Sequence, residues 1–257
     1  EGFVSIIAAF SLVGIGLGVA TLIIVMSVMN GYRQDIMGRI LGVDGHIDVI
    51  QNGGYISNFQ SKVDKIIDIT GVTSVMPQVT GQVMVNVSNF TSGALVRGVR
   101  AEDLLKRKII SESIISGSIS TSISENGLII GSRMANRAGI VIGDNISLIS
   151  PKGNITVFGA VPRIKTFKVL AVFDVGMSDF NSSIIFMPLP LAQKYFKLTE
   201  QQVTGIEIQV ENPDKAASIA KIDQKINVYS WENSNVAFFN ALQVERNVMF
   251  LILTLII

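Results

Sequence analysis

Hydrophobic residues run without a single charge from Val4 to Met29. As a helix this run would be about 39 Å long at 1.5 Å per residue, whereas the hydrocarbon core of a bilayer is about 30 Å thick. A signal peptide would place basic residues before its apolar region, but here Glu1 precedes the run. A buried helix of a soluble protein rarely lacks charge for so long. The pattern therefore predicts a first transmembrane helix over residues 1–29, which leaves the membrane at Asn30-Gly31.

Two glycines within this run, Gly14 and Gly18, are spaced four residues apart. This spacing puts them on one face of a helix, where small residues let a second helix approach closely. Glycine is also common in membrane helices generally. Two interpretations therefore stay open, a helix-packing face and ordinary membrane-helix composition.

A second apolar run occupies Val248 to Ile257 and is too short to cross a bilayer. We therefore expect a fragment that holds one complete span, a long polar region and the start of a second span. The composition agrees with a membrane protein, since 48% of residues are hydrophobic, only 16% are charged and the mean hydropathy is +0.48.

Within the polar region, alternating and helical patterns form two strand-helix-strand units near its opposite ends. The first unit is Gly45–Gln51, Phe59–Thr70 and Val72–Met76. The second is Gly205–Val210, a helix starting at Asn212-Pro213, and Asn227–Ser230. The two units could share one sheet, which predicts an α+β, ferredoxin-like layer.

The chain between these units reads mostly as β-structure. We expect a hairpin around Ser88-Asn89, a short helix ended by Gly139, and a serine-rich surface loop over residues 111–124. Further strands are predicted at 128–130, 145–150, 167–173 and 183–187. Together these patterns predict a β-rich subdomain, 100–179, inserted between residues 30–99 and 180–230. Residues 231–257 would form a membrane-proximal helix and the truncated second span.

Little in the sequence indicates catalysis. A formal net charge of +1 gives no strong field for nucleic acid, and the chain has no cysteine. No Gly-Lys-Ser/Thr phosphate loop occurs, so ATP hydrolysis is not expected. The single histidine, His46, has only Asp48 nearby in sequence, which is too little for a metal site. The pattern predicts no catalytic residue, no metal and no cofactor.

Three longer stretches carry a family resemblance: SVMNGYR at 27–33, and the segments 125–196 and 230–257. They resemble the permease subunit of the bacterial lipoprotein-releasing ABC transporter, the LolC/LolE family, which has a macrolide-exporter-like periplasmic domain. The resemblance implies a multi-pass protein of the bacterial inner membrane with a large periplasmic loop, made of Porter-like and Sabre-like parts.

The same resemblance implies partners and a function. Cytoplasmic ATPase subunits would hydrolyse ATP, and a second permease subunit would complete a hetero- or homodimer. The assembly would extract lipoproteins from the outer leaflet of the inner membrane and pass them to a periplasmic chaperone of the LolA type for outer-membrane sorting.

At the residue level, the resemblance places a chaperone-binding hairpin, the hook, at residues 151–165. Its expected tip is Val157, Phe158, Gly159, Ala160, Val161, Pro162 and Arg163. Phe158 would be an exposed anchor and Arg163 a charged contact at the rim. The alternative is that Phe158 and Val161 pack under the hairpin.

The end of the first helix is the second expected contact. Val25, Met26 and Met29 would touch lipoprotein acyl chains or membrane lipid, because flexible methionines suit varied apolar ligands. Ordinary helix packing explains the same residues equally well.

Other functions share this plan. A macrolide-exporter-like efflux subunit or a cell-division permease would have the same membrane-loop-membrane order, and an extracellular sensor domain between two membrane helices is a third class. A LolC-type subunit, a LolE-type subunit and a single hybrid permease are also left open, as is the set of lipoproteins.

Overall fold

A computed structural model of the chain describes residues 2–51, 54–88, 90–124, 127–156, 159–212 and 227–230, together with 240, 244, 247–252 and 254. The chain divides into two compact units. One comprises Glu1–Ile40 and Glu232–Ile257, and the other comprises Leu41–Trp231.

The chain begins with helix α1, Gly2–Val43, which is 42 residues long. Its segment Ser5–Tyr32 has a mean hydropathy of 2.5 and is long and apolar enough to cross a membrane. The helix continues beyond the predicted span, 1–29, through Asn30 and Gly31 to Val43. Each of the three glycines in this extension, Gly31, Gly38 and Gly42, costs only about 1 kcal/mol in a helix, and the extension also contains good helix formers such as arginine, methionine and leucine.

The first part of the sheet combines both predicted strand-helix-strand units. Its strands lie in the order β12-β1-β11-β3, and all neighbours are antiparallel. These strands are β1 Ile47–Ile50, β3 Val72–Val87, β11 Gly205–Val210 and β12 Asn227–Ser230. Helix α2, Phe59–Ile67, packs on β3. The order interleaves the two units as in a split β-α-β layer, which confirms the shared sheet. The second predicted helix lies outside the described residues.

Strand β3 connects this part to the rest of the sheet, because it is 16 residues long and changes partners along its length. Residues Val72 to Gln78 pair with β11, and Val79 to Val87 pair with β4, Phe90–Val99, across the predicted turn at Ser88. The sheet continues in the order β4-β9-β6-β8-β5, while β7 pairs with β3 and β8. These strands are β5 Ile114–Gly117, β6 Leu128–Gly131, β7 Asn145–Thr156, β8 Gly159–Phe173 and β9 Ile184–Pro188. A separate pair joins β2, Ile56–Ser57, to β10, Gln202–Val203.

Short helices connect and cover these strands. They are α3 Ala101–Lys106, α4 Lys108–Ser111, α5 Ile119–Ser124, α6 Ser132–Ala138, α7 Ser178–Ser183 and α8 Leu189–Phe196. Helix α6 ends at Gly139, whose φ of 65° is open to glycine, as predicted.

The serine-rich stretch is not a surface loop. It forms β5 and α5, and both Ile119 and Ser122 are buried. The reason is that isoleucines of this stretch are buried in, or pack against, a hydrophobic core. Ile110 and Ile119 join this core beside Phe173 and Phe186, whose rings lie 5.4 Å apart.

The predicted limits of the inserted subdomain, 100–179, stay a prediction. Strands β5 to β8 fall inside these limits, but β4 and β9 fall outside and share the same sheet. Leu41–Trp231 as a whole forms one compact unit.

Candidate functional site

A long hairpin formed by β7 and β8 contains the predicted hook. Thr156 pairs with Gly159 at the described end of the hairpin, and Asn154 pairs with Val161. The register then shifts before Ser150 pairs with Arg163, so that three residues of β7, Pro151 to Gly153, lie opposite Pro162 alone. Such a bulge bends a strand pair, and proline removes a ladder donor at that point.

The predicted hook residues have different surroundings. Val157 and Phe158 lie outside the described residues, and of Gly159 and Ala160 the structure describes the backbone, in β8. Val161 is 54% exposed and Pro162 is also exposed. Arg163 is half-buried, and its Nη1 donates to the backbone carbonyl of Tyr195 in α8.

Tyr195 anchors the base of the hairpin, a role that the sequence pattern did not reveal. Its hydroxyl donates a 2.9 Å hydrogen bond to the Leu148 carbonyl in β7, and its ring meets the edge of Phe167 in β8 at 5.5 Å. Burial raises the pKa of Tyr195 to about 12, although the nearby Arg163 charge opposes the shift. Both strands of the hairpin are therefore tied to one helix.

A groove of about 560 Å³ lies beside the hairpin base. Its wall follows a row of directly paired residues across three strands, from Gly93 of β4 through Met84 of β3 to Ile149 of β7. Pro151 and Pro162 of the hairpin also line the groove, and none of the described residues that line it is charged. Met84, which lines the groove, is 48% exposed. The surface suits an apolar partner.

In α1, Val25 and Met26 are exposed and Met29 is half-buried. A Cβ added at Gly14 or Gly18 would meet nothing within 4 Å. Both glycines thus leave space for a neighbouring helix.

A buried ionic cluster lies where α1 ends. Arg107, at the α3–α4 junction, approaches Glu207 of β11 at 2.5 Å and donates to the Val43 carbonyl at 2.5 Å. Arg97 of β4 pairs with Asp44 and lies 3.9 Å from Glu207. Glu207 is 1% exposed and Arg107 is 6% exposed. The Arg107–Glu207 geometry is that of an ion pair, because the N–H does not align with Glu207 Oε1 as a hydrogen bond.

His46 and Asp48, which looked isolated in the sequence, belong to this cluster. His46 Nδ1 accepts a 3.0 Å hydrogen bond from the Val210 amide. Burial lowers the pKa of His46, and the nearby Arg107 charge lowers it further. No group of acidic, histidine or cysteine side chains among the described residues could hold a metal ion.

A family model described as the MacB-like periplasmic core domain matches residues 8–225. Among solved structures, the chain is similar to the periplasmic region of MacB from Actinobacillus actinomycetemcomitans, with 13% identity and a TM-score of 0.49 over 80% of this chain and 99% of that one.

Two curated relatives have names that bear on function. The Neisseria meningitidis serogroup B protein named lipoprotein-releasing system transmembrane protein LolC is 30% identical over 270 residues, which cover 100% of this chain and 63% of that protein. The Haemophilus influenzae protein named LolE of the same system is 25% identical, over 99% of this chain and 63% of that protein. The chain thus spans 63% of the length of these relatives, whose names confirm the resemblance carried by the motifs.

Proposed function

Because the chain belongs to the family of MacB-like periplasmic core domains, we propose that it is part of a permease subunit of a bacterial ABC transporter that extracts lipoproteins from the outer leaflet of the inner membrane and passes them to a periplasmic chaperone. The observation that carries this proposal is the 30% identity, over the whole chain, to a relative named for lipoprotein release.

The proposed topology puts Ser5–Tyr32 across the inner membrane and Leu41–Trp231 in the periplasm, as the large loop of a multi-pass subunit. It is supported by the length and hydropathy of α1 and by the periplasmic description of the family. Gly14 and Gly18 would pack against another transmembrane helix of the permease pair, since a Cβ there meets no neighbour.

Lipid contact is proposed at Val25, Met26 and Met29 of α1. Exposure of Val25 and Met26 supports it, and the flexible thioether of methionine adapts to acyl chains of different lengths. The substrate would thus meet the permease while its acyl chains are still in the membrane.

The hairpin and the adjoining groove form the proposed docking surface for the chaperone. Exposed Val161 and Pro162, with Val157 and Phe158 of the predicted tip, would supply apolar contacts. Pro151 and Pro162 belong to both the hairpin and the groove, which makes the apolar surface continuous. Arg163 would fix the hairpin base to α8, because its guanidinium donates a hydrogen bond to the backbone carbonyl of Tyr195.

Energy would come from partner proteins. With no phosphate loop in this sequence, cytoplasmic ATPase subunits would bind and hydrolyse ATP while the permease moves the lipoprotein. This chain would be a non-catalytic part of the assembly.

A related efflux or cell-division permease is the second candidate. The description of the matching family model refers to MacB, so such a permease is a relative of this chain. Names of the full-chain relatives favour lipoprotein release instead.

The proposed function can be tested by purifying the full-length permease with its ATPase from bacterial membranes and identifying the bound molecules by mass spectrometry. We expect triacylated lipoproteins to copurify and to pass to an added LolA-type chaperone with ATP, but not with a non-hydrolysable analogue. A complex that binds no lipoprotein and instead exports a macrolide would establish the second candidate.

A further inference from the structure

Two carboxylates face each other inside the Leu41–Trp231 unit. Asp48 of β1 pairs directly with Glu207 of β11 in the antiparallel register. Side chains in such positions have Cβ atoms about 5 Å apart, and like charges there repel. Tyr229 of β12 is the opposite neighbour of Asp48. A third carboxylate, Asp44, also lies close enough to act on the charge of Asp48.

The charges around this pair do not balance when every carboxylate is ionised. Asp44, Asp48 and Glu207 would carry three negative charges, whereas Arg97 and Arg107 carry two positive ones. His46 does not compensate, because burial and the Arg107 charge hold its pKa down. An unbalanced charge is costly in a buried site, and taking up a proton removes it.

The ion pairs indicate which carboxyl takes the proton. Glu207 contacts both arginines, and Asp44 pairs with Arg97. Asp48 has no ion-pair partner among the described residues. The uncompensated negative charge therefore falls on Asp48.

We propose that Asp48 is the proton-binding member of a partly buried carboxylate pair with Glu207, and that release of its proton loosens the hold of Arg97 and Arg107 on Val43 and Asp44. The two arginines hold this segment through the Val43 carbonyl, at 2.5 Å from Arg107 and 3.5 Å from Arg97, and through the Asp44 carboxylate. An ionised Asp48 competes for the same guanidinium groups, so protonation regulates how firmly the chain after α1 is held.

The pKa of Asp48 is shifted in the direction that the proposal requires. Burial, together with the charges of Glu207 and Asp44, raises the pKa of Asp48 from 3.8 to about 7, against the opposing charges of Arg97 and Arg107. A carboxyl whose pKa is higher in the folded state than in the unfolded state does not reduce the free energy of unfolding when the pH is below its unfolded-state pKa. The loss of stability grows as the pH rises from the unfolded-state pKa to the folded-state pKa, and it is complete above the folded-state pKa.

The test measures amide hydrogen exchange of residues 41–46 in the purified chain at pH 5.5 and 8.5, corrected for intrinsic exchange rates. We expect protection in the wild type to fall about tenfold between these pH values, the equivalent of one pKa unit of linkage. Asp48→Asn, which mimics the protonated carboxyl, should keep the same protection at both. Asp68→Asn, at an exposed position in the same unit, should behave as the wild type.

Thermal unfolding gives a second measurement. Raising the pH from 5.5 to 8.5 should lower the Tm of the wild type by about 5 °C relative to Asp48→Asn. Equal pH dependence in the two proteins would overturn the proposal. If Asp48→Asn does not fold, the wild-type protein alone tests the proposal. Amide protection of residues 41–46 that does not change around pH 7 would then exclude it. Neither measurement uses lipoprotein or chaperone, so its outcome is independent of the proposed transport function.

Discussion

The hydroxyl of Tyr195 donates a hydrogen bond to the backbone carbonyl of Leu148, which ties helix α8 to the first strand of the hairpin. The carbonyl of Tyr195 itself accepts from Arg163 on the second strand. One residue therefore joins both strands at the hairpin base. A partner that docks on the hairpin would meet a base already fixed in place, which lowers the entropy cost of binding.

Removing this hydroxyl should weaken the base without changing its shape. We expect Tyr195→Phe to lower the free energy of unfolding by about 1 kcal/mol, the typical net value of one hydrogen bond. Urea unfolding of the purified chain measures the change. Tyr55→Phe is the matched control, because Tyr55 is exposed, and it should leave stability unaltered. Equal stability of Tyr195→Phe and the wild type would show that the hydrogen bond contributes nothing.

Val161 tests the hairpin as a docking surface. Because its side chain is 54% exposed, Val161→Asp should leave the Tm of the chain unchanged. We expect it to weaken binding of a LolA-type chaperone at least tenfold, or about 1.4 kcal/mol, by placing a charge in an apolar contact. Val141→Asp makes the same change at another exposed valine, in the turn before β7 at the opposite end of this strand from the hairpin tip, and binding should stay at the wild-type level. Equal binding by both variants would contradict hairpin docking.

Local patterns predicted much of the sheet. Alternation in GIEIQV, the turn at Ser88 and the glycine at position 139 each act over a few residues, and each feature appears where it was predicted. The shared sheet was also predictable, since strand-helix-strand units at both ends of a domain can bury their apolar faces together.

Features that depend on distant residues were not predicted. Ile110 follows a basic segment and Ile119 is flanked by serines, and their burial depends on the core around Phe173 and Phe186, which is distant in sequence. The ionic cluster draws on positions 44, 48, 97, 107 and 207, and no periodicity connects charges so far apart in sequence. The continuation of α1 beyond Met29 was missed because polar residues and glycines resemble a membrane exit whether or not the helix persists.

The proposed lipid contact can be tested at Met26. A photo-crosslinking residue at this exposed position should capture lipoprotein in cells that express the full-length permease, because acyl chains would lie against α1. The same crosslinker at Ile67, an exposed apolar position in α2 of the other unit, should capture none. Capture is read on immunoblots of a tagged lipoprotein. Equal yields at both positions would mean that the contact is nonspecific.

The strongest stability effect is expected at Arg107. Its guanidinium compensates Glu207, which is 1% exposed, and also binds the Val43 carbonyl. Arg107→Ala should lower the free energy of unfolding by about 3–5 kcal/mol, because among the described residues it leaves the buried Glu207 charge with the more distant Arg97 as its remaining ion-pair partner.

Two further variants separate charge from packing in urea unfolding. Arg107→Met combined with Glu207→Leu removes both charges and keeps the volume, so most of the lost stability should return. Arg133→Ala removes an exposed arginine and should change stability by less than about 0.5 kcal/mol. If the double variant is as unstable as Arg107→Ala, the loss comes from packing or from the Val43 hydrogen bond rather than from the uncompensated Glu207 charge.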